Sequence, residues 1–185
     1  MPAGFFTWQQ AQQEICMSKA IAFVARLSGT GKTTLVEAVI RILAARGYRV
    51  GAIKHDAHDF EIDKPGKDSY RFTAAGAATT VVASRRKTAV VRQNPDAPKL
   101  EFLLDSYCRD LDVVLVEGFK GGSLPKIEVH RQGFSPSPTL AESGALSQVV
   151  AIACDGDCSE TGLPHLDLND PEAVADFVLQ HARLI

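Results

Sequence analysis

The sequence predicts an α/β fold, a mostly parallel sheet flanked by helices, and three observations predict it. Short β-branched runs alternate with segments whose apolar residues recur at helical spacing. Runs such as Val113-Val114-Leu115-Val116 are apolar throughout rather than alternating, as expected of strands covered on both faces. The first run, 19–25 (KAIAFVA), leads through a glycine-bearing loop straight into a helical pattern.

In chain order, residues 19–25 form the first strand. Leu35, Val36, Val39, Ile40 and Leu43 then mark a helix that Arg46-Gly47 stops. Strands follow at 48–55, 78–84, 88–93, 112–119, 125–131 and 148–154, with helices over 98–109 and 171–182. Asp170 is placed to N-cap the last helix, and Pro171 fits its first position because a helix start needs no N–H there. Pro65-Gly66 makes a turn, after which Asp68 is expected to N-cap a helix beginning near Ser69. Two long segments break the rhythm: 55–68, polar and aperiodic, and 132–147, rich in Ser, Pro and Gly. Long loops of this kind are commonly functional. The chain has no internal repeat and no low-complexity tract.

The loop carries the chemistry. Ser28-Gly29-Thr30-Gly31-Lys32-Thr33-Thr34 sits between a strand and a helix, the context of a phosphate-binding P-loop. Glycines let successive backbone N–H groups point into one concavity, and the helix N-terminus adds partial positive charge. Lys32 reaches β- and γ-phosphates, the Thr33 hydroxyl suits Mg2+, and Thr34 is placed for the α-phosphate. The usual first glycine is replaced by Arg26, which costs about 1–3 kcal/mol only if the backbone there is strained. Such a loop needs an acidic partner for Mg2+ on a second strand. Glu117 closes an apolar strand at its carboxyl end and fits, whereas Asp112 lies at the other end. Gly118 lets the backbone approach a γ-phosphate. Lys32 and Glu117 are therefore the candidate catalytic pair.

With 185 residues, 45% hydrophobic and 23% charged, the composition is that of an ordinary globular domain. Residues 19–185 are expected to form one P-loop nucleotide-binding domain. Residues 1–18 are expected to be a disordered leader, with Met17 a natural alternative start and no basic signal-peptide opening. A net charge of −2 gives no basis for binding nucleic acid or a membrane surface. The apolar runs are too short to span a bilayer. Cys16, Cys108, Cys154 and Cys158 fit neither a metal nor a disulfide pattern, which suits a reducing, cytoplasmic setting.

Several phrases together resemble one family: SGTGKTTL (28–35), IKH (53–55) with His58, DKPGKDSYR (63–71), AGA (75–77), LVEGFK (115–120) and PKIEVHR (125–131). The chain resembles the MobB family of molybdopterin-guanine dinucleotide biosynthesis adaptor proteins, from about residue 19 to the last helix. A Gly-Lys-Thr-Thr match alone fits many functions; its combination with DKPGKDS and LVEGFK is more specific. The resemblance implies the P-loop NTPase fold and a weakly GTP-hydrolysing, Mg2+-dependent homodimer. It also implies assistance to a MobA-like guanylyltransferase that joins GMP to molybdopterin. Ser28 to Thr34 would take the phosphates, with Thr33 and Glu117 holding Mg2+.

Other residues fall near the same crevice. Lys54, His55 and His58 follow the second strand and suit a switch-like loop contacting γ-phosphate or pterin; His55, His58 and Asp59 as a metal site is the alternative, and a solvated loop the plain one. Lys64 and Lys67 beside Asp68 suggest a second anion pocket or simply a capped turn. Guanine offers paired N–H donors that a carboxylate accepts together. Asp155 follows the strand where G-domain folds place that group, with Asp157 an alternative and no Asn-Lys-x-Asp phrase present. Lys120 and Lys126 either steer phosphates or are surface charge. A small-molecule kinase is the main rival, but its arginine-rich lid has only Arg85-Arg86-Lys87 to draw on. A metal-delivery GTPase and a scaffold that has lost nucleotide are the others. No arginine finger or water-positioning Gln stands out, so hydrolysis is expected to be slow.

Overall fold

Strand β1 (Ala20–Val24) is buried at every position and lies at the centre of a six-stranded sheet in the computed structural model, which describes residues 17–55, 60–135, 139–158 and 161–182. Strands β2 (Val50–Lys54), β5 (Val113–Glu117), β6 (Lys126–His130), β7 (Val149–Cys154) and β8 (His165–Asp167) complete it. The order is β2-β5-β1-β6-β7-β8, and every adjacent pair is parallel.

Side chains alternate across β1, and each set meets its own helices. Ile21 and Phe23 pack with Leu35, Val36, Val39 and Leu43 of helix α1 (Lys32–Ala45) and Val174, Val178 and Leu179 of helix α4 (Pro171–His181). Ala20, Ala22 and Val24 face Leu100 and Leu104 of helix α3 (Leu100–Tyr107) and Leu124. Helices cover both faces, which is why the central strands carry no polar alternation. Arg46, capping the end of α1, donates to Glu172 and Asp176 of α4 at 2.5 and 2.6 Å. Asp170 caps α4 as expected, accepting from Ala173 N at 3.1 Å, with Pro171 in the first turn.

Register decides which side chains meet at the sheet's carboxyl edge. Phe23 of β1 lies opposite Glu117 of β5, and Glu117 lies opposite Lys54 of β2. The first strand's exit, the acidic strand end and the second strand's end therefore share one edge, where ligands collect in parallel sheets.

Contacts divide the chain into two compact units, one built on this sheet and one spanning Asp56–Lys99. The second unit holds helix α2 (Asp68–Ala74) and the antiparallel pair β3 (Thr79–Ala83) and β4 (Thr88–Arg92). The predicted strands at 78–84 and 88–93 thus exist but belong to a separate hairpin, not to the parallel sheet. A four-residue turn that Ser84 bonds to Lys87 joins them, too short for the crossover that parallel pairing needs. Asp68 does not cap α2: Lys67 occupies that position, and Asp68 is the first helical residue, 3.4 Å from Arg71. The turn is held instead by Asp63, whose Oδ1 accepts from Lys64 N at 3.0 Å and Ser69 Oγ at 2.9 Å. Among the described residues no helix is long and apolar enough to cross a membrane.

Candidate nucleotide-binding site

The loop from β1 to α1 folds around two glycines in the left-handed region, Gly29 at φ 79° and Gly31 at φ 95°. Gly31 is the N-cap of α1, so no side chain caps the helix, and no acidic residue stands in its first turn. The backbone donors of a fourteen-residue helix therefore open onto the loop without a competing internal anion. Arg26 answers its own question: among the described residues only Phe119 and Gln148 combine a side chain with positive φ, so no glycine is required at 26.

Thr30 is fully buried and turns its hydroxyl toward Leu27 O at 3.5 Å, leaving its backbone as its contribution to the loop. Ser28, Thr33 and Thr34 are exposed. Lys32 reaches back across the loop, its Nζ donating to Leu27 O at 3.3 Å. Burial lowers its pKa from the ordinary lysine value; Glu117 opposes the shift, and Lys120 and Lys54 add to it. Lys32, Lys54 and Lys120 thus share one region with Glu117.

Thr33 Oγ1 lies 3.0 Å from each carboxylate oxygen of Glu117. Lys54 Nζ stands 3.8 Å away. Glu117 is only 15% exposed, so its charge is concentrated against the hydroxyl it faces. The two residues expected to share Mg2+, 84 positions apart in sequence, are thus brought together. The chain then turns sharply: Gly118 has φ 96°, and a Cβ there would lie 3.1 Å from His55 O. Phe119 follows at φ 53°, its ring centroid 4.4 Å from that of His55.

Arg131 ends the phrase PKIEVHR (125–131), carries no signal of a role in the sequence, and lies at the loop, just past β6. Its Nε donates to Thr30 O at 3.4 Å and its Nη1 to Asp155 Oδ2 at 3.0 Å. A Cβ on Gly31 would lie 3.3 Å from Nη2, and one on Gly29 would lie 3.5 Å from the Phe134 ring. The available signal was position: β6 pairs with β1, so the residue after its last strand position lies beside the loop that follows β1. Asp155 is on the same edge, with Oδ1 accepting from Gln132 N at 2.7 Å, so each oxygen already has a protein donor.

Lys126 proves to be neither surface charge nor a phosphate guide. It is fully buried at the opposite end of β6, where Nζ donates to Gly122 O, Leu124 O and Ser147 O at 2.6, 3.0 and 3.2 Å. Burial lowers its pKa, and three carbonyls replace the water it has lost. Lys120 remains exposed. Lys64, Lys67 and Asp68 are exposed in the second unit, around α2. His58 and Asp59 lie outside the described residues, and among those described no cluster of three His, Cys, Asp or Glu side chains is placed to hold a metal.

Residues 20–155 match the family model for molybdopterin guanine dinucleotide synthesis protein B, MobB. The chain is 43% identical over 167 residues to the molybdopterin-guanine dinucleotide biosynthesis adapter protein of Escherichia coli (strain K12), covering 89% of this chain and 93% of that one. It is 40% identical over 153 residues to the adapter protein of Haemophilus influenzae, covering 82% and 83%. A crystal structure of molybdopterin-guanine biosynthesis protein B superposes with a TM-score of 0.70 at 27% identity, covering 87% of this chain and 98% of the other. Matched by that family model over residues 20–155 and 43% and 40% identical to these adapter proteins over most of their length, the chain belongs to the MobB family.

Proposed function

We propose that this protein binds GTP with Mg2+ and serves, as a homodimer in the cytoplasm, as the accessory partner of a MobA-like transferase that attaches GMP to molybdopterin. The observation that carries the nucleotide part is the Thr33 hydroxyl set 3.0 Å from both oxygens of Glu117, beside an uncapped helix start. A threonine and a carboxylate meeting at that place form the donor set of a hard cation shared with a phosphate. When bound, Mg2+ would neutralise part of the triphosphate charge. Lys32 swings from Leu27 O to the β- and γ-oxygens, exchanging a neutral acceptor for a charged one. The N–H groups of 29–33 hold the remaining oxygens. Glu117 fixes the Thr33 hydroxyl, and Gly118 allows close approach on that side. Nothing in this set activates a water strongly, which supports slow hydrolysis and a role in binding and positioning. The named adapter relatives support the place in molybdopterin-guanine dinucleotide synthesis.

Calorimetric titration with GTP and with ATP, each with Mg2+, tests this. The wild type should bind GTP, and Lys32→Ala should lose triphosphate binding by about a hundredfold or more while its ligand-free thermal transition stays put. Tight GTP binding by that variant would sink the site assignment; a preference for ATP would favour a kinase.

A further inference from the structure

We propose that Arg131 is a second cationic contact of the nucleotide's phosphates, supplied in cis from the end of β6, and that Asp155 is the residue that positions it. The inference rests on the nucleotide-site reading above.

Three observations place the guanidinium. It fills the space that Gly31 leaves by lacking a side chain, with Nη2 at 3.3 Å from where a Cβ would stand. Its Nε is tied to Thr30 O, the carbonyl between the two loop glycines, at 3.4 Å. Its Nη1 is tied to Asp155 at 3.0 Å. These two bonds use one N–H each, so the planar fork is held at two corners and Nη2 is directed by geometry. The backbone that carries it is also fixed: Arg131 N donates to Ser135 Oγ at 3.0 Å, and Ser135 N returns to Arg131 O at 2.8 Å. The turn so formed brings Phe134 against Gly29, so it rests on both loop glycines.

The fork's directed donors give it its use, since Asp155 at 3.0 Å already offsets its net charge. A triphosphate carrying one divalent cation keeps about two negative charges. Lys32 supplies one positive charge, and burial at the loop lowers its pKa. A guanidinium tolerates such a place better, because it stays protonated and donates along fixed directions. Asp155 has a carboxylate oxygen on Arg131 and the other on Gln132 N at 2.7 Å, the arrangement of a holder. A guanine reader would instead present both oxygens to the base.

The test compares wild type, Arg131→Ala, Arg131→Lys and Asp155→Asn by titration with Mg·GTP, Mg·ATP and GMP. Arg131→Ala should weaken both triphosphates by about ten- to a hundredfold and by the same factor, with GMP much less affected. Arg131→Lys should recover part of the loss, since it restores charge without the fork, and this rescue separates a phosphate contact from a purely structural brace. Asp155→Asn should shift GTP and ATP by equal factors. Wild-type affinity in Arg131→Ala overturns the proposal, as does a tenfold collapse of the GTP-to-ATP ratio in Asp155→Asn, which would make Asp155 the base reader. If the wild type binds no nucleotide, the underlying site reading fails, and the assignment of Arg131 falls with it.

Discussion

Glu117 and Arg131 show how differently the positions of two residues of the candidate site can be read. Glu117 was legible because its signal is local: four apolar residues before it place it at a strand's carboxyl end, and a P-loop upstream demands an acid there. Arg131 was not, because its meaning lies in the pairing of β6 with β1, which no spacing reveals. Lys126 was misread for a related reason: nothing local says that three carbonyls will close on its ammonium. At this scale Glu117→Gln should keep the hydroxyl contact while losing the charge. GTP titrations with Mg2+ and with chelator should then differ by about tenfold or more for wild type and hardly at all for the variant. An equal Mg2+ response in both would remove Glu117 from the cation site. Cys158 gives a pH prediction. Burial, with the neighbouring Cys154 thiol, pushes its pKa up to about 12 from an ordinary 9.0. The unfolded chain releases that proton first, so the native state binds more protons between these values. Its contribution to stability is whole below about pH 9 and is lost as pH rises toward 12. Denaturant midpoints should fall across that range more steeply for wild type than for Cys158→Ala.

Elements were most legible where local propensity and packing agreed. Helix α4 announced its cap, its first proline and its apolar stripe, and all three stand in the structure. Asp170→Ala should therefore cost about 1 kcal/mol in denaturant unfolding with the fold retained, by losing the acceptor for Ala173 N; an unchanged midpoint would show the cap to be idle. Strand β8 went unseen because three residues, His-Leu-Asp, carry no period, and it forms by pairing with β7. The 132–147 segment hid a small device of its own. Thr139 and Glu142 cap one turn reciprocally at 3.1 and 2.6 Å, and buried Glu128 on β6 accepts from Leu140 N and Ala141 N at 2.7 and 2.9 Å. The Thr-x-x-Glu spacing was visible in the sequence; the carboxylate that anchors it to the sheet was not.

Over the whole molecule, the parallel sheet followed from the apolar strands, but the division into two units did not, because strand-like runs look alike whichever sheet they join. The second unit raises a problem that a single chain leaves open. Its two strands have α2 against one face, where the Thr73 and Thr80 hydroxyls lie 3.2 Å apart, and leave valines exposed on the other. Val81 and Val90 are register partners on one face, 59% and 43% exposed, and Val82 is 50% exposed. Valines so exposed on a short sheet favour burial against another surface, and a second copy of the chain presents the same one. The homodimer proposed above is therefore tested first at β3 and β4. Light scattering on a sizing column should give about twice 19.9 kDa for the wild type and 19.9 kDa for Val81→Lys. In a dimer closed through this face, a lysine there would set like charges against each other and desolvate both. A Val81→Lys protein that still runs as a dimer would move the interface elsewhere, and a monomeric wild type would leave the hairpin for another partner. Because the P-loop, Glu117 and Arg131 belong to the other unit, GTP binding by Val81→Lys then decides whether each copy holds its nucleotide alone or only as one of a pair.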